Sequence, residues 1–191
     1  MISGKRKSGK DYVAEKLMKV LKGKGFNPGL VHLSGPLKKA YADIHGLNYQ
    51  LLLKSDSYKE QFRKDMILWG ELKRNQDPSY FCNLAVLDRK EDIFIVVDNR
   101  RKTDLQYFIK RFPGLCLCIR ITADEETRRS RGFVFSTGID DAESECGLDD
   151  WGAWDFTFDN STQEKSQWDH QLDQLINATL LKVHQSKPSK L

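Results

Sequence analysis

Ile93-Phe94-Ile95-Val96-Val97 is an unbroken run of β-branched and aromatic residues that stops at Asp98. A strand with one face in water would alternate apolar and polar side chains. This run does not alternate, which predicts a parallel strand buried on both faces. Downstream, Asp104 to Arg111 has helical spacing, Leu115 to Ile121 is a second apolar strand, and Asp124 to Arg131 is again helical. Alternating strand and helix predict an α/β layered fold with crossover connections.

Working outward, Asp155 to Asp159 is a last strand candidate. Trp168 to Val183 closes the chain as a helix with Leu172, Leu175, Ile176 and Leu180 on one face. Upstream, Ser57 to Arg74 carries Tyr58, Phe62, Met66 and Trp69 on one helical stripe, and Asp77-Pro78 restarts the chain into a helix from Ser79 to about Leu87. Leu30 to Leu33 reads as a short strand, and Ser34-Gly35-Pro36 as a turn before a helix over Leu37 to Ile44. The first helix is predicted from Ser8 to Leu21, with Val13, Leu17, Val20 and Leu21 on its core face. Residues 132–150 are acidic, contain glycine and show no apolar period, so they are predicted to form a mobile loop.

The 191 residues suit one domain over 1–191. Lys and Arg number 31 against 27 acidic residues, a net charge of +4, which is too weak for blanket binding to a nucleic acid backbone unless the cations are concentrated. None of Cys82, Cys116, Cys118 and Cys146 stands at metal-knuckle or redox-motif spacing, and core packing in a reducing compartment accounts for them. The chain carries no stretch of about 18 apolar residues and no apolar leader, which predicts an intracellular protein without a membrane span. Its last residues, Ser189-Lys190-Leu191, spell a peroxisomal import signal, read either as an address for the import receptor or as a frayed basic tail over 187–191.

Gly4-Lys5-Arg6-Lys7-Ser8-Gly9-Lys10 fits the G-x-x-x-x-G-K pattern of a phosphate-wrapping loop and stands directly before the first helix. Glycines let such a loop curl its N–H groups around an anion, the helix terminus adds positive potential, and the lysine reaches the terminal phosphates. Asp11 follows where Ser or Thr is usual; its carboxylate is an equally hard ligand for Mg²⁺. Only Met1, Ile2 and Ser3 precede Gly4, so the first strand is expected to be truncated. Asp98 ends its strand where a second Mg²⁺ carboxylate would sit, or else caps the next helix, and Arg100 and Arg101 beside it favour a second anionic ligand. Lys59 and Arg63 share a helix face, which is either a solvated basic face or part of the site; Lys73 and Arg74 lie further along. Arg128 and Arg131 precede the acidic loop, as expected of arginines closed over a phosphoryl group by a lid spanning about 128–150.

SGKRKSGKD at Ser3 to Asp11, SGPLK at Ser34 to Lys38, YKEQFRKDMI at Tyr58 to Ile67, DNRR at Asp98 to Arg101 and DDAESECGLD at Asp140 to Asp149 together resemble animal-type phosphomevalonate kinase. The resemblance implies a nucleoside-monophosphate-kinase-like fold: a three-layer P-loop kinase with a mainly parallel sheet, flanking helices and a mobile lid. It also implies ATP and Mg²⁺ as cosubstrates, 5-phosphomevalonate as acceptor, and a place in isoprenoid and sterol synthesis.

Carried over by residue, Gly4, Lys5, Arg6, Lys7, Ser8, Gly9, Lys10 and Asp11 form the nucleotide loop, with Arg128 and Arg131 as lid arginines near ATP. Lys59, Arg63, Arg74, Arg100, Arg101 and Asn160 match substrate-binding positions. Ser161 stands at a nucleotide-contacting position that the vertebrate members of the family fill with His. The catalytic set is then Lys10, Arg100, Arg101 and Arg131, with Asp11 and Asp98 on Mg²⁺. The expected protein is a cytoplasmic or peroxisomal monomer that binds no nucleic acid. A kinase for another small phosphorylated acceptor, or a catalytically weak nucleotide-binding protein lacking its first strand, would share these residues.

Overall fold

The computed structural model describes residues 1–54, 56–161 and 164–186; the tail over 187–191 lies outside them. Its strands are β1 (Ile2–Ser3), β2 (Pro28–Val31), β3 (Ile93–Val96), β4 (Ile119–Thr122) and β5 (Phe156–Asp159). The helices are α1 (Lys10–Gly23), α2 (Ser34–His45), α3 (Tyr49–Lys54), α4 (Asp56–Gln76), α5 (Tyr80–Val86), α6 (Lys102–Arg111), α7 (Glu125–Ser130), α8 (Glu143–Cys146) and α9 (Lys165–Ser186). Every strand pairing is parallel, in the orders β1-β4-β5 and β2-β3, with Ile2 opposite Ile119, Ile95 opposite Leu30 and Ile121 opposite Phe158. Among the described residues no helix is long and apolar enough to cross a membrane.

Burial on both faces of β3 is visible residue by residue. Ile95 and Val97 pack with Val13, Leu17 and Leu21 of α1 and Leu175 of α9, whereas Val96 packs with Leu105 and Phe108 of α6 and with α5. Successive strand side chains point to opposite faces, so one apolar run feeds two helical layers. Phe158 and Leu175 are fully buried, each contributing about 1.5–3 kcal/mol. A third cluster, Tyr41, Ala42, Leu52 and Met66, holds α2, α3 and α4 together over the carboxyl ends of β2 and β3.

Several expected boundaries move. The first helix starts at Lys10 rather than Ser8, because Gly9 is left-handed, with φ of 86°. The Leu115 to Ile121 strand shortens to β4, whose ladder with the N-terminal segment begins where the Ile119 N–H donates to Met1 O. Leu30 to Leu33 shifts to Pro28–Val31, leaving Leu33 and Ser34 at the head of α2. A first strand is present as β1, two residues long and both buried, paired with β4. Asn99 bridges from β3 to β1, its Nδ2 donating to Ile2 O and Val96 O at 3.2 and 3.0 Å. The acidic segment is not featureless: it contains α8, and Ile139 and Leu148 are buried.

Candidate active site

The segment 4–9 joins β1 to α1 as a tight curl. Gly4 has no room for a side chain, since a Cβ there would lie 2.5 Å from Ser8 Oγ and 2.6 Å from Ile121 O. Lys7 and Gly9 both have positive φ, at 62° and 86°, which turns backbone N–H groups toward the concave side. At Gly9 a Cβ would come within 2.1 Å of Asn160 Nδ2. That amide donates to Ser8 O at 2.8 Å, so the end of β5 is fastened to the back of the loop.

A cavity of about 670 Å³ opens in front of the loop. Arg6, Lys7, Lys10 and Asp11 line one side, Lys38, Lys59, Arg63 and Arg74 come from α2 and α4, and Asp98, Arg100 and Arg101 come from the end of β3. The three stretches are far apart in sequence, and parallel crossovers bring them to the carboxyl edge of the strands. Nine of these eleven residues are Lys or Arg and only two are aspartates, so the cavity is built to receive anions. Burial, and secondarily Arg100, lower the affinity of the Lys10 amine for its proton, which an arriving phosphate would reverse.

Other expected site residues sit behind the loop or at its flank. Arg131 donates to Ser8 O at 3.2 Å and to Asn160 O at 2.7 Å, bracing the loop from the rear. Arg128 lies 3.9 Å over the Phe133 ring and donates to Arg6 O at 2.8 Å. Lys5 turns to Asp149 at 2.5 Å, and Ser161 Oγ accepts the Asp124 N–H at 2.8 Å. The cavity therefore gathers Lys10, Arg100 and Arg101 of the expected catalytic set, whereas Arg131 touches the loop's carbonyl groups.

Asp98 caps a helix, but α2, which precedes it in the chain, rather than the next helix α6. Its oxygens accept the N–H groups of Leu33 at 2.6 Å and Ser34 at 2.9 Å, which caps the start of α2. Burial alone would raise its pKa, but the hydrogen bonds from Ser34 and Leu33 and the charge of Arg100 outweigh it and hold the carboxyl below its ordinary value. Asp11 stays exposed at the rim, 3.8 Å from Lys10 Nζ. Among the described residues no three His, Cys, Asp or Glu side chains converge as a metal cage. Mg²⁺ does not need one, because it keeps several waters and takes one or two carboxylates beside substrate phosphates. The ionised Asp98 and the exposed Asp11 fit that donor set.

The acidic segment supplies what sequence reasoning left without a role. Asp140 receives Arg6 at 3.0 Å, Asp149 receives Arg120 at 2.9 Å, and Glu145 pairs with Arg100 while accepting the Arg6 N–H at 3.0 Å. Lys38 was also unassigned; burial first, and neighbouring Lys59 second, lower its pKa. Lys38 lies in the quoted stretch SGPLK, and Asp140, Glu145 and Asp149 lie in DDAESECGLD, which were the available signal.

The fold and the cavity define an α/β protein of parallel strands and flanking helices with a glycine-bounded anion loop at the sheet edge. The family model described as phosphomevalonate kinase matches residues 2–114. A Drosophila melanogaster protein described as phosphomevalonate kinase is 43% identical over 155 residues, covering 78% of this chain and 80% of that relative. The chain belongs to the phosphomevalonate kinase family.

Proposed function

We propose that this chain, acting as a monomer, transfers the γ-phosphoryl group of ATP to the phosphate of 5-phosphomevalonate. A P–O bond forms from an acceptor phosphate oxygen to the γ-phosphorus, the bond from that phosphorus to the β,γ-bridging oxygen breaks, and ADP leaves with the bridging oxygen. The observation that carries this reading is the shared cavity, which sets the loop lysine Lys10 against the cations of α4 and the β3 edge. Two phosphate-bearing ligands can be held there face to face.

The acceptor is a phosphate monoester with a second pKa of about 6, so at neutral pH its attacking oxygen is already largely anionic and no general base is required. The barrier is electrostatic: two polyanions must meet in line while charge moves toward ADP. Lys10 binds the β- and γ-phosphates, Arg63, Arg100 and Arg101 hold the acceptor phosphate, and Arg131 keeps the loop in shape with the lid segment above it. Asp11 and Asp98 would hold Mg²⁺, which supplies neutralisation of the phosphate oxygens. Asn160 reaches the site through the loop that it fastens.

The test is a coupled ADP-release assay with 5-phosphomevalonate, mevalonate and nucleoside monophosphates as separate acceptors. Turnover confined to 5-phosphomevalonate is the expected result, and preference for another phosphorylated acceptor would replace the substrate. A place in sterol synthesis follows from that acceptor. Import into peroxisomes besides a cytoplasmic pool is proposed on Ser189-Lys190-Leu191 alone. A tagged chain that stays diffuse with or without Leu191 would remove it.

A further inference from the structure

The cations of the acceptor side converge on one side chain that touches neither ligand. Asp104, in the first turn of α6, has no exposed surface. Its Oδ1 accepts from the Arg74 guanidinium at 2.5 Å, and its Oδ2 accepts the N–H groups of Arg100 at 3.0 Å and Arg101 at 3.1 Å. Cys82 Sγ lies 3.7 Å from the same Oδ1. Arg101 in turn reaches across to Glu71, one turn before Arg74 on α4. The α4 helix and the β3–α6 junction thus exchange one arginine and one carboxylate each.

All three arginines line the cavity. A guanidinium has five donors in a fixed fork, so Arg74 can give one to Asp104 and keep others for a phosphate. The main-chain bonds to Asp104 fix where the Arg100 and Arg101 side chains leave the backbone. We propose that Asp104 is the positioning residue of the acceptor-phosphate site, setting Arg74, Arg100 and Arg101 in register as one unit. This inference rests on the phosphoryl-transfer reading above and deepens it.

A merely structural alternative is specific. Asp104 is the third helical residue of α6 and completes a capping box with Arg101. Glu is the common residue at that position, so a pure cap would accept Asp104→Glu without loss. A positioning carboxylate would not, because one added methylene shifts the oxygen that meets Arg74 by more than the tolerance of a preorganised site.

The experiment measures steady-state kinetics of wild type, Asp104→Glu and Asp104→Asn with ATP and 5-phosphomevalonate, alongside urea unfolding. The expected result for both variants is a rise of about tenfold or more in KM for 5-phosphomevalonate, with KM for ATP within about twofold of wild type. Asp104→Glu keeps the charge and the cap, so it carries the test should Asp104→Asn fail to fold. An acceptor KM unchanged in Asp104→Glu, or equal losses for both substrates, would overturn the positioning role. A wild-type chain inactive on 5-phosphomevalonate would instead overturn the functional reading beneath it.

Discussion

The main-chain N–H of Arg6 donates to Glu145 at 3.0 Å, and the other oxygen of that carboxylate pairs with Arg100. A single buried anion from the acidic segment therefore joins the glycine-bounded loop to Arg100. Glu145→Gln keeps the size and an acceptor for the N–H but removes the charge. The expected cost is about 1–3 kcal/mol of stability, because Arg100 loses its partner. Affinity for 5-phosphomevalonate is expected to rise at low salt, as the cavity becomes more positive. Thermal shifts at increasing 5-phosphomevalonate would show a larger stabilisation in the variant than in wild type; an equal or smaller one contradicts this.

Gly9 and Asn160 leave each other no spare room. With φ of 86° and a built Cβ only 2.1 Å from Asn160 Nδ2, Gly9→Ala must distort the loop. ATP binding is expected to fall by about tenfold or more, the scale of one lost charge-assisted bond. Asn160→Ala removes the bonds to Ser8 O and from the Trp168 indole, costing about 1–3 kcal/mol in urea unfolding with a raised KM for ATP. Calorimetric titration with ATP checks both.

Lys10→Met keeps the length and loses the charge of the loop cation. Removing one preorganised donor costs about 3 kcal/mol of transition-state stabilisation, so kcat/KM should fall by about two orders of magnitude. Unchanged turnover would remove Lys10 from the mechanism.

Burial raises the thiol pKa of Cys82 and pushes that of Cys118 up to about 11, from an ordinary value of 9.0. As pH rises through 9.0 the unfolded thiols ionise while the folded Cys118 thiol keeps its proton until about 11, so the folded state holds more protons and stability falls across that window. Buried Lys10 and Lys38, with lowered pKa values, act in the opposite direction. The difference isolates the thiol: the stability of wild type relative to Cys118→Ala should decline between pH 8 and pH 10 in paired urea titrations. A constant difference would contradict it.

What could be read from the chain followed the range of the interactions involved. Ile93 to Val97 was legible because burial on both faces leaves an uninterrupted apolar run, and α1, α4 and α9 because their core faces repeat at helical spacing. Helix α3 was missed: six residues with one buried leucine give too short a period. The cations of the cavity were legible by type and position. Their carboxylate partners were not, since Asp104 stands 30 residues from Arg74 and Glu145 stands 45 from Arg100, and no local pattern couples them. Arg131 was expected over the transferring group, but an arginine's fork fits main-chain carbonyls as readily as phosphate, and here it holds Ser8 O and Asn160 O.

The central claim is transfer from phosphate to phosphate within one cavity, and ³¹P NMR of the chain with ATP, Mg²⁺ and 5-phosphomevalonate tests it most directly. The acceptor monoester signal should give way to the two coupled signals of a diphosphate, with ADP appearing in equal amount. ATP consumed into free phosphate while the monoester signal persists, or no consumption of ATP, would contradict it.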